Sequence, residues 1–111
     1  MASRGYLGEF ELLVMLAIVR LRDGAYGVPI ARMIEEETGR EAAMGSVYAT
    51  LERLEEKGFV SSRLGDATPE RGGKAKRYFF PTGQGIARIR ETRQALTRLW
   101  RGLPRWKRAI A

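Results

Sequence analysis

The sequence predicts a mainly α fold with a small β-hairpin, and three observations support that prediction. Val47, Leu51 and Leu54 recur at the spacing of one helix face. Residues 59–64 and 75–80 have the character of two short strands, and the loop between them is rich in glycine and basic residues. Helical apolar patterns precede and follow this unit. A helix beside a two-stranded ribbon with a basic tip, the wing, is the arrangement of a winged helix-turn-helix.

The first predicted helix, Leu7–Arg22, is apolar on nearly every side. Such a helix has to be covered on every side, and a chain of 111 residues forms only a modest core. We therefore expect the chain's own core to cover one part of the helix and a second subunit to cover the rest, with Leu7, Phe10 and Val14 in the subunit contact. The alternative is a helix that is covered entirely within one chain.

The next two helices follow in the order of a helix-turn-helix. The second begins near Pro29, which the first turn of a helix accepts, and ends at Gly39. Residues 40–43 form a connection of suitable length. The third helix, Gly45–Lys57, is the predicted recognition helix, and Gly58 lies where a residue tolerant of the left-handed conformation ends a helix. The face away from the apolar positions is expected to carry Ser46, Ala49, Thr50, Glu52, Arg53 and Glu56.

The last predicted helix begins at Thr82 and is broken by Pro104. An apolar stripe with three- and four-residue spacings runs along it, interrupted by Arg93. We expect this stripe to join two subunits through Ile86, Ile89, Leu96, Leu99 and Leu103. The expected organisation is a winged helix-turn-helix DNA-binding domain over residues 1–81, a C-terminal dimerisation helix over residues 82–104 and a basic tail over residues 105–111.

The charge of the chain is positive and unevenly distributed. The net charge is +7, which favours a polyanionic partner. Residues 84–111 hold eight Lys and Arg residues against Glu91 alone, whereas acidic residues cluster within 35–41 and 52–56. Segregation of this kind favours an electrostatic footprint for nucleic acid over an ordinary basic surface.

Several function classes are disfavoured by residue types that the sequence lacks. There are no cysteines and no histidines, which removes the thiolate nucleophile, the commonest general base and the commonest transition-metal ligand. We expect no enzymatic activity, no metal and no cofactor. The longest apolar run, Leu12–Val19, has eight residues, far short of the roughly 20 that a membrane span needs. Glu9 and Glu11 interrupt any signal-peptide core, so we expect a cytoplasmic protein.

Candidate DNA contacts lie early in the recognition helix. In helix-turn-helix proteins, residues in the first part of this helix reach base edges. Tyr48 is positioned to contact a base or a phosphate, and Ser46 and Thr50 to contact phosphates. The alternative for Tyr48 is packing against the first helix. Arg53 lies two turns in and either contacts DNA or pairs with neighbouring acidic residues.

The loop between the predicted strands supplies a second group of candidates. Arg71, Lys74, Lys76 and Arg77 surround a pair of glycines. Glycine lets a backbone approach the phosphates closely, and the cations displace counterions. The alternative is a solvated hairpin tip. We expect the aromatic residues of the second strand to make sheet and core contacts.

Three segments of the chain resemble the PadR family of bacterial transcriptional regulators: LGEFELLVMLAIVRLRDGAYGVPIARMIEEETG, GSVYATLERLEEKGFVSS and GKAKRYFFPTGQG. The resemblance implies a dimeric repressor with an N-terminal winged helix and a C-terminal dimerisation helix. It places Ser46, Tyr48 and Thr50 on the recognition helix, and it places Lys74, Lys76 and Arg77 on the wing and its second strand.

The chain departs from the family pattern at two places and resembles its small-tailed branch. Ala49 replaces the proline that commonly follows the tyrosine, and residues 73–76 keep the charge of the wing but lose its proline. Some members of this branch bind flat aromatic drugs between paired tryptophans of the last helix. The matching position here is Leu96, and Trp100 lies one turn later. A dimer could form an aromatic cleft from two copies of Trp100; the alternative is simple dimer packing.

The expected function is sequence-specific binding of double-stranded DNA. We expect a homodimeric repressor that binds a roughly palindromic operator and is released by a small aromatic effector. The alternative is a winged helix that acts as a protein–protein adaptor through its basic surface. RNA binding is less favoured because the sequence lacks the exposed aromatic pairs that read single strands.

Overall fold

The computed structural model describes residues 5–65 and 75–104 of the chain. These residues form the helices α1 (Glu9–Leu21), α2 (Gly27–Thr38), α3 (Met44–Glu56) and α4 (Gly83–Arg101), and the strands β1 (Val60–Leu64) and β2 (Arg77–Pro81). A short 3₁₀ turn, Arg22–Gly24, follows α1. The mainly helical fold with a β-hairpin is thereby confirmed. None of the helices in this described part is long and apolar enough to cross a membrane.

Glycine and threonine mark the ends of the helices as the sequence predicts. Gly39 ends α2 with φ of 73°, and its N–H donates to the Glu35 carbonyl. Gly58 follows α3 with φ of 81°. Thr82 precedes α4: its hydroxyl accepts from the Gly85 N–H at 3.0 Å and donates to the Gly58 carbonyl at 2.7 Å. One side chain therefore joins the end of α3 to the start of α4.

The core lies between α1, α2, α3 and the inner face of the hairpin. Its fully buried members include Met15, Ile18, Ile30, Val47, Leu51 and Leu54, and Phe79 of β2 closes it from the wing side. The predicted buried face of α3 is thereby confirmed. Leu7 and Val14, which we expected in a subunit contact, are also buried in this core. Their side chains are already covered by their own chain, so neither is exposed for the subunit contact in which we expected it.

The hairpin is antiparallel, with Val60 opposite Pro81 and Leu64 opposite Arg77. Its inner strand is tied to the helical part because the Phe79 N–H donates to the Ala25 carbonyl at 2.8 Å. This bond fixes the base of the wing next to the start of α2. The orientation of the wing relative to the helix-turn-helix follows from it.

The first half of α4 is docked on the rest of the chain. Gly85 packs directly on the Phe59 carbonyl, and a Cβ at that position would also lie 2.9 Å from Met15 Cε. The buried Thr92 accepts from the Leu7 N–H at 3.1 Å and donates to the Arg88 carbonyl at 2.8 Å. The chain before α1 is thereby held against α4.

The second half of α4 presents apolar side chains to solvent. Leu99 is 74% exposed and Trp100 is 69% exposed, and Leu96 and Leu103 are also exposed. On α1, Leu16 and Val19 remain exposed while the other side of the helix is buried. The chain's own core therefore covers only part of the apolar surface of α1 and α4.

Candidate nucleic-acid interface

Side chains of α2 fix the turn that leads to α3. The Ala42 N–H donates to Glu35 Oε2 at 2.9 Å. The Thr38 hydroxyl donates to the Ile34 carbonyl at 2.6 Å and accepts from the Arg40 N–H at 3.0 Å. These local bonds satisfy polar groups that the helix ends leave free, and they hold α3 in a defined orientation against α2.

Tyr48 lies where the first turns of α2 and α3 meet. Its ring packs on Gly27, where an added Cβ would lie 2.6 Å from Tyr48 Cζ and 3.0 Å from Met44 Cε. Even so, 49% of Tyr48 remains exposed. The packing that we considered for Tyr48 is therefore present, but it is against α2 rather than the first helix. Half of the side chain stays available to a partner.

Thr50 is not on the exposed face of α3, contrary to our expectation. It is only 2% exposed, because it lies three residues after Val47 and four before Leu54, on the core side of the helix. Its hydroxyl accepts from the Arg53 guanidinium at 3.2 Å. This burial removes Thr50 from any surface that a DNA duplex could touch in this conformation. Ser46 and Ala49 are exposed as expected.

Arg53 belongs to an ion cluster at the C-terminal end of α3. Its Nε lies 4.0 Å from Glu11 Oε2, and Lys57 Nζ lies 3.0 Å from the same oxygen. Partial burial by itself would raise the pKa of Glu11, but the hydrogen bond from the Gly8 N–H and the two cations outweigh it and lower that pKa below its usual value. Pairing of Arg53 with an acidic residue, which the sequence left open, is thus observed.

The exposed side of α3 divides into two halves of different charge. Its first half carries no acidic residue, while in the second half Glu52, Glu55 and Glu56 are all exposed and outnumber the single cation, Arg53. A helix N-terminus also carries partial positive charge. A polyanion is therefore attracted to the first half, where Ser46 and Tyr48 lie, and repelled from the second.

The wing adds a cation next to the same place. Lys76 Nζ lies 5.3 Å from the centroid of the Tyr26 ring, and Tyr78 meets Tyr26 edge to face with 5.4 Å between ring centroids. Since Tyr26 directly precedes Gly27, this aromatic group adjoins the site of Tyr48. Tyr26 was missed by the sequence analysis, because only the tertiary contact between the start of α2 and the wing reveals it.

Arg77 takes a different position from Lys76. Its guanidinium donates to the Ser62 hydroxyl at 3.0 Å, and that hydroxyl donates to Glu55 Oε2 at 2.7 Å. This chain of bonds joins the wing to the acidic half of α3. The structure therefore brings Lys76, and not Arg77, to the tyrosines at the start of α2. Arg71 and Lys74 lie outside the described residues.

Arg40 is a further basic residue beside α3 that the sequence analysis did not select. Its guanidinium lies 4.5 Å from the centroid of the Phe10 ring, and its Nε lies 3.2 Å from Glu9 Oε1. Together with Ser46 and Arg53 it lines an open groove of about 270 Å³ along one side of α3. The signal in the sequence was a lone arginine in the predicted connection, which is a common surface residue.

The remaining predicted contact residues lie on α1 and α4. Phe10 is partly buried beneath Arg40. Ile86 and Ile89 of α4 are also partly buried, and Ile89 packs against the core. Leu96 and Trp100 are both exposed on the outer half of α4. Among the described residues, no group of three or more acidic side chains is placed to hold a metal ion.

Comparisons with known proteins identify the family and support the fold. The profile of the transcriptional regulator PadR-like family matches residues 15–91, which is more than half of the chain. A PadR family transcription regulator from Clostridium difficile superimposes with a TM-score of 0.72 at 20% identity, covering 94% of this chain and 100% of that one. A PadR-like regulator from Bacillus cereus gives 0.68 at 20% identity, with 87% and 89% covered.

A PadR family regulator from Eggerthella lenta gives a TM-score of 0.66 at 26% identity, covering 85% of this chain and 81% of that one. A comparison with curated protein sequences finds no match. The structural likenesses confirm the fold, and the profile match confirms the resemblance that the sequence motifs indicated. The chain therefore belongs to the PadR-like family of transcriptional regulators and is a DNA-binding regulator.

Proposed function

We propose that this regulator reads its DNA site with the first half of α3 and the adjoining wing. The observation that carries the proposal is the convergence of Tyr48, Tyr26 and Lys76 around the start of α2, next to the acid-free half of α3. Ser46 and Tyr48 contact the major groove or its phosphates, and Lys76 contacts the flanking backbone. Arg71, Lys74 and Arg77 extend the wing contact, and Arg40 and Arg53 flank it.

The regulator acts as a homodimer in this proposal. Residues 1–81 form the DNA-binding domain, residues 82–104 the dimerisation helix and residues 105–111 a basic tail. The exposed Leu96, Leu99 and Leu103 support this division, since a contiguous apolar surface on a small chain marks an interaction site. Two-fold symmetry places the two copies of α3 about one helical turn of DNA apart, roughly 10 base pairs, so the operator is roughly palindromic.

The dimer represses transcription in the cytoplasm, and a small aromatic effector releases it. Trp100 supports the effector part of the proposal, because this large aromatic side chain is exposed one turn after Leu96 on the helix that joins the subunits. An effector that binds better to one spacing of the two DNA-binding domains than to another shifts the dimer toward the spacing that it prefers. If no aromatic compound changes the affinity for the operator, the effector part of the proposal is wrong, while the proposal of DNA binding stands.

Selection of bound sequences from a random duplex library tests the DNA-binding proposal. The expected result is a palindromic consensus whose affinity falls steeply with salt. Failure to enrich any sequence would contradict it and favour the protein–protein adaptor, in which the basic surface meets an acidic partner.

The variant Tyr48→Phe then tests the role of the phenol. A phosphate contact predicts uniformly weaker binding across sequences, and a base contact predicts relaxed preference at one position. Tyr6→Phe is the matched control, because Tyr6 is equally exposed at 49% but lies before α1. Unchanged binding by Tyr48→Phe across all sequences would exclude the phenol hydroxyl from the interface.

A further inference from the structure

Helix α4 has a second surface opposite its apolar stripe. With 3.6 residues per turn, Gln94 and Arg101 fall on the side of the helix opposite the buried Thr92 and the exposed Leu103. We call this side the outer face of α4. It consists of Arg90, Gln94, Thr97, Arg98 and Arg101, with Arg93 at its edge on the side of Trp100, and these six residues line an open groove of about 600 Å³.

The four arginines of the outer face are not neutralised within the described part of the chain. Ion pairs there involve Arg88 on this helix and, elsewhere, Arg20, Arg40, Arg53 and Lys57, but none of these four arginines. Glu91, the single acidic residue of α4, pairs with Arg88 at 3.4 Å. Four like charges along about 16 Å of helix create a positive potential that attracts a polyanion.

We propose that the outer face of α4 binds the phosphate backbone of double-stranded DNA without regard to sequence. Guanidinium groups match phosphate oxygens in two-pronged hydrogen bonds. Gln94 and Thr97 lie among them and carry amide and hydroxyl groups of the kind that bond phosphates. The face has no large apolar side chain to insert into a lipid bilayer, which distinguishes it from a membrane-binding helix.

The outer face is separate from the surface proposed to read the operator. Its arginines lie on α4, whereas Tyr48 and Lys76 lie at the start of α2 and on the wing. Because Arg90, Arg98 and Arg101 lie away from the three leucines of the stripe, they stay exposed when those leucines pair with another subunit, whereas Arg93 borders that contact. One dimer then binds its operator with the two DNA-binding domains and binds a second duplex with the outer faces of α4.

The salt dependence of binding to a duplex of random sequence tests the proposal. We compare the wild type with Arg90→Gln/Arg93→Gln/Arg98→Gln/Arg101→Gln. Each phosphate contact contributes about 0.9 to the slope of log affinity against log salt, so four contacts lower the slope by up to ~3.6. Between 50 and 200 mM salt, wild-type affinity should then fall on the order of 100-fold more than that of the variant. An unchanged slope would overturn the proposal.

Three further variants distinguish a binding face from a general effect of net charge. Replacing the four arginines by lysine keeps the charge and should keep most of the slope. The double variant Arg90→Gln/Arg101→Gln should lower the slope by about 1.8, whereas Arg22→Gln/Arg32→Gln, at exposed positions outside α4, should lower it by less than half as much. Equal effects of the two double variants would overturn the proposal. Glutamine favours helices, and circular dichroism checks that α4 persists.

A bridging assay tests whether the two surfaces act together. An immobilised duplex should capture a second, labelled duplex when wild-type dimer is present and not when the quadruple glutamine variant is present. Phosphatidylserine vesicles provide the competing partner: vesicle binding that depends on the four arginines, with no change in the duplex slope, would overturn the proposal. The slope measurement uses a duplex of random sequence and therefore does not depend on the operator. If the library selection finds no operator, the slope difference between wild type and variant still tests the outer face, so the two proposals can fail separately.

Discussion

The two halves of α4 have the same secondary structure but opposite environments. Residues 83–92 are capped by Thr82, packed through Gly85 and joined to the chain before α1 through Thr92. Residues 93–101 continue the helix with Leu96, Leu99 and Trp100 exposed. The first half is therefore stabilised by its own chain. The second half has no such tertiary support, and most helical stability in proteins comes from packing of the apolar face, so covering its apolar stripe should stabilise it.

The variant Leu99→Asp should have the largest effect, and in the proposed homodimer it acts on association rather than on folding. Burying a leucine contributes about 1.5–3 kcal/mol, and a two-fold interface loses this twice, so the dimer should weaken by at least ~3 kcal/mol. Sedimentation equilibrium measures the dissociation constant. The DNA-binding domain should keep its unfolding transition, because Leu99 does not belong to the core.

Ala87→Asp is the matched control for that experiment. It introduces the same carboxylate on an exposed position of the first half of α4 and should leave the dimer intact. A Leu99→Asp protein that remains dimeric would show that the stripe is not the subunit contact. The second half of α4 would then not be stabilised by a partner subunit through this stripe.

The variant Gly85→Ala should break the packing of the first half. The new methyl group would overlap the Phe59 carbonyl and lie 2.9 Å from Met15 Cε. Backbone cannot move aside as a flexible side chain does, so a destabilisation of about 3 kcal/mol is expected. Urea unfolding measures it. Gly83→Ala is the control, since nothing lies within 4 Å of its added Cβ. Equal stability of the two variants would contradict the close contact.

The variant Thr92→Val tests the last buried position before α4 leaves the core. It keeps the shape of the side chain but deprives the Leu7 N–H of its acceptor. A buried donor left without a partner costs about 1–3 kcal/mol. Thermal unfolding should show this loss, whereas Thr97→Val in the second half should change stability by less than about 0.5 kcal/mol. A neutral Thr92→Val would mean that water replaces the hydroxyl.

Periodicity in the sequence was enough to predict the helices, the hairpin and the buried face of α3. Each of these elements carries its own local signal: the spacing of Val47, Leu51 and Leu54, and the glycines at positions 39 and 58. The general location of the site at the start of α3 followed from the same pattern. Assignment of single side chains to the site was less successful.

The errors had two causes, helical spacing and contacts between residues far apart in the sequence. Thr50 was assigned to the face away from the apolar positions, although it lies three residues after Val47 and four before Leu54; its hydroxyl gains a partner in Arg53 and can be buried. Tyr26 and Lys76 meet only because the hairpin is tied to Ala25. An all-apolar α1 does not reveal which side its own core covers, so Val14 was placed in a subunit contact.

The smallest effect is expected at the junction of α1 and α3, which depends on charge rather than on packing. Glu11 links the two helices through Lys57 and Arg53, and its side chain is only 14% exposed. The variant Glu11→Gln retains an oxygen for the Gly8 N–H but removes the charge. It should cost no more than about 1 kcal/mol at neutral pH, since both cations are half exposed to solvent.

The pH dependence identifies this contribution as electrostatic. The pKa of Glu11 is lowered in the folded chain, so the carboxylate stabilises the fold above its unfolded pKa of about 4.3. That stabilisation is lost as pH falls through the lower, folded pKa, because the unfolded chain binds the proton first. The difference in melting temperature between wild type and Glu11→Gln should therefore be largest near pH 7 and shrink as the pH falls below about 4.3. Glu36→Gln, at an exposed position on α2, is the matched control. A Glu11→Gln difference that does not change between neutral and acidic pH would instead assign the effect to side-chain shape and not to charge.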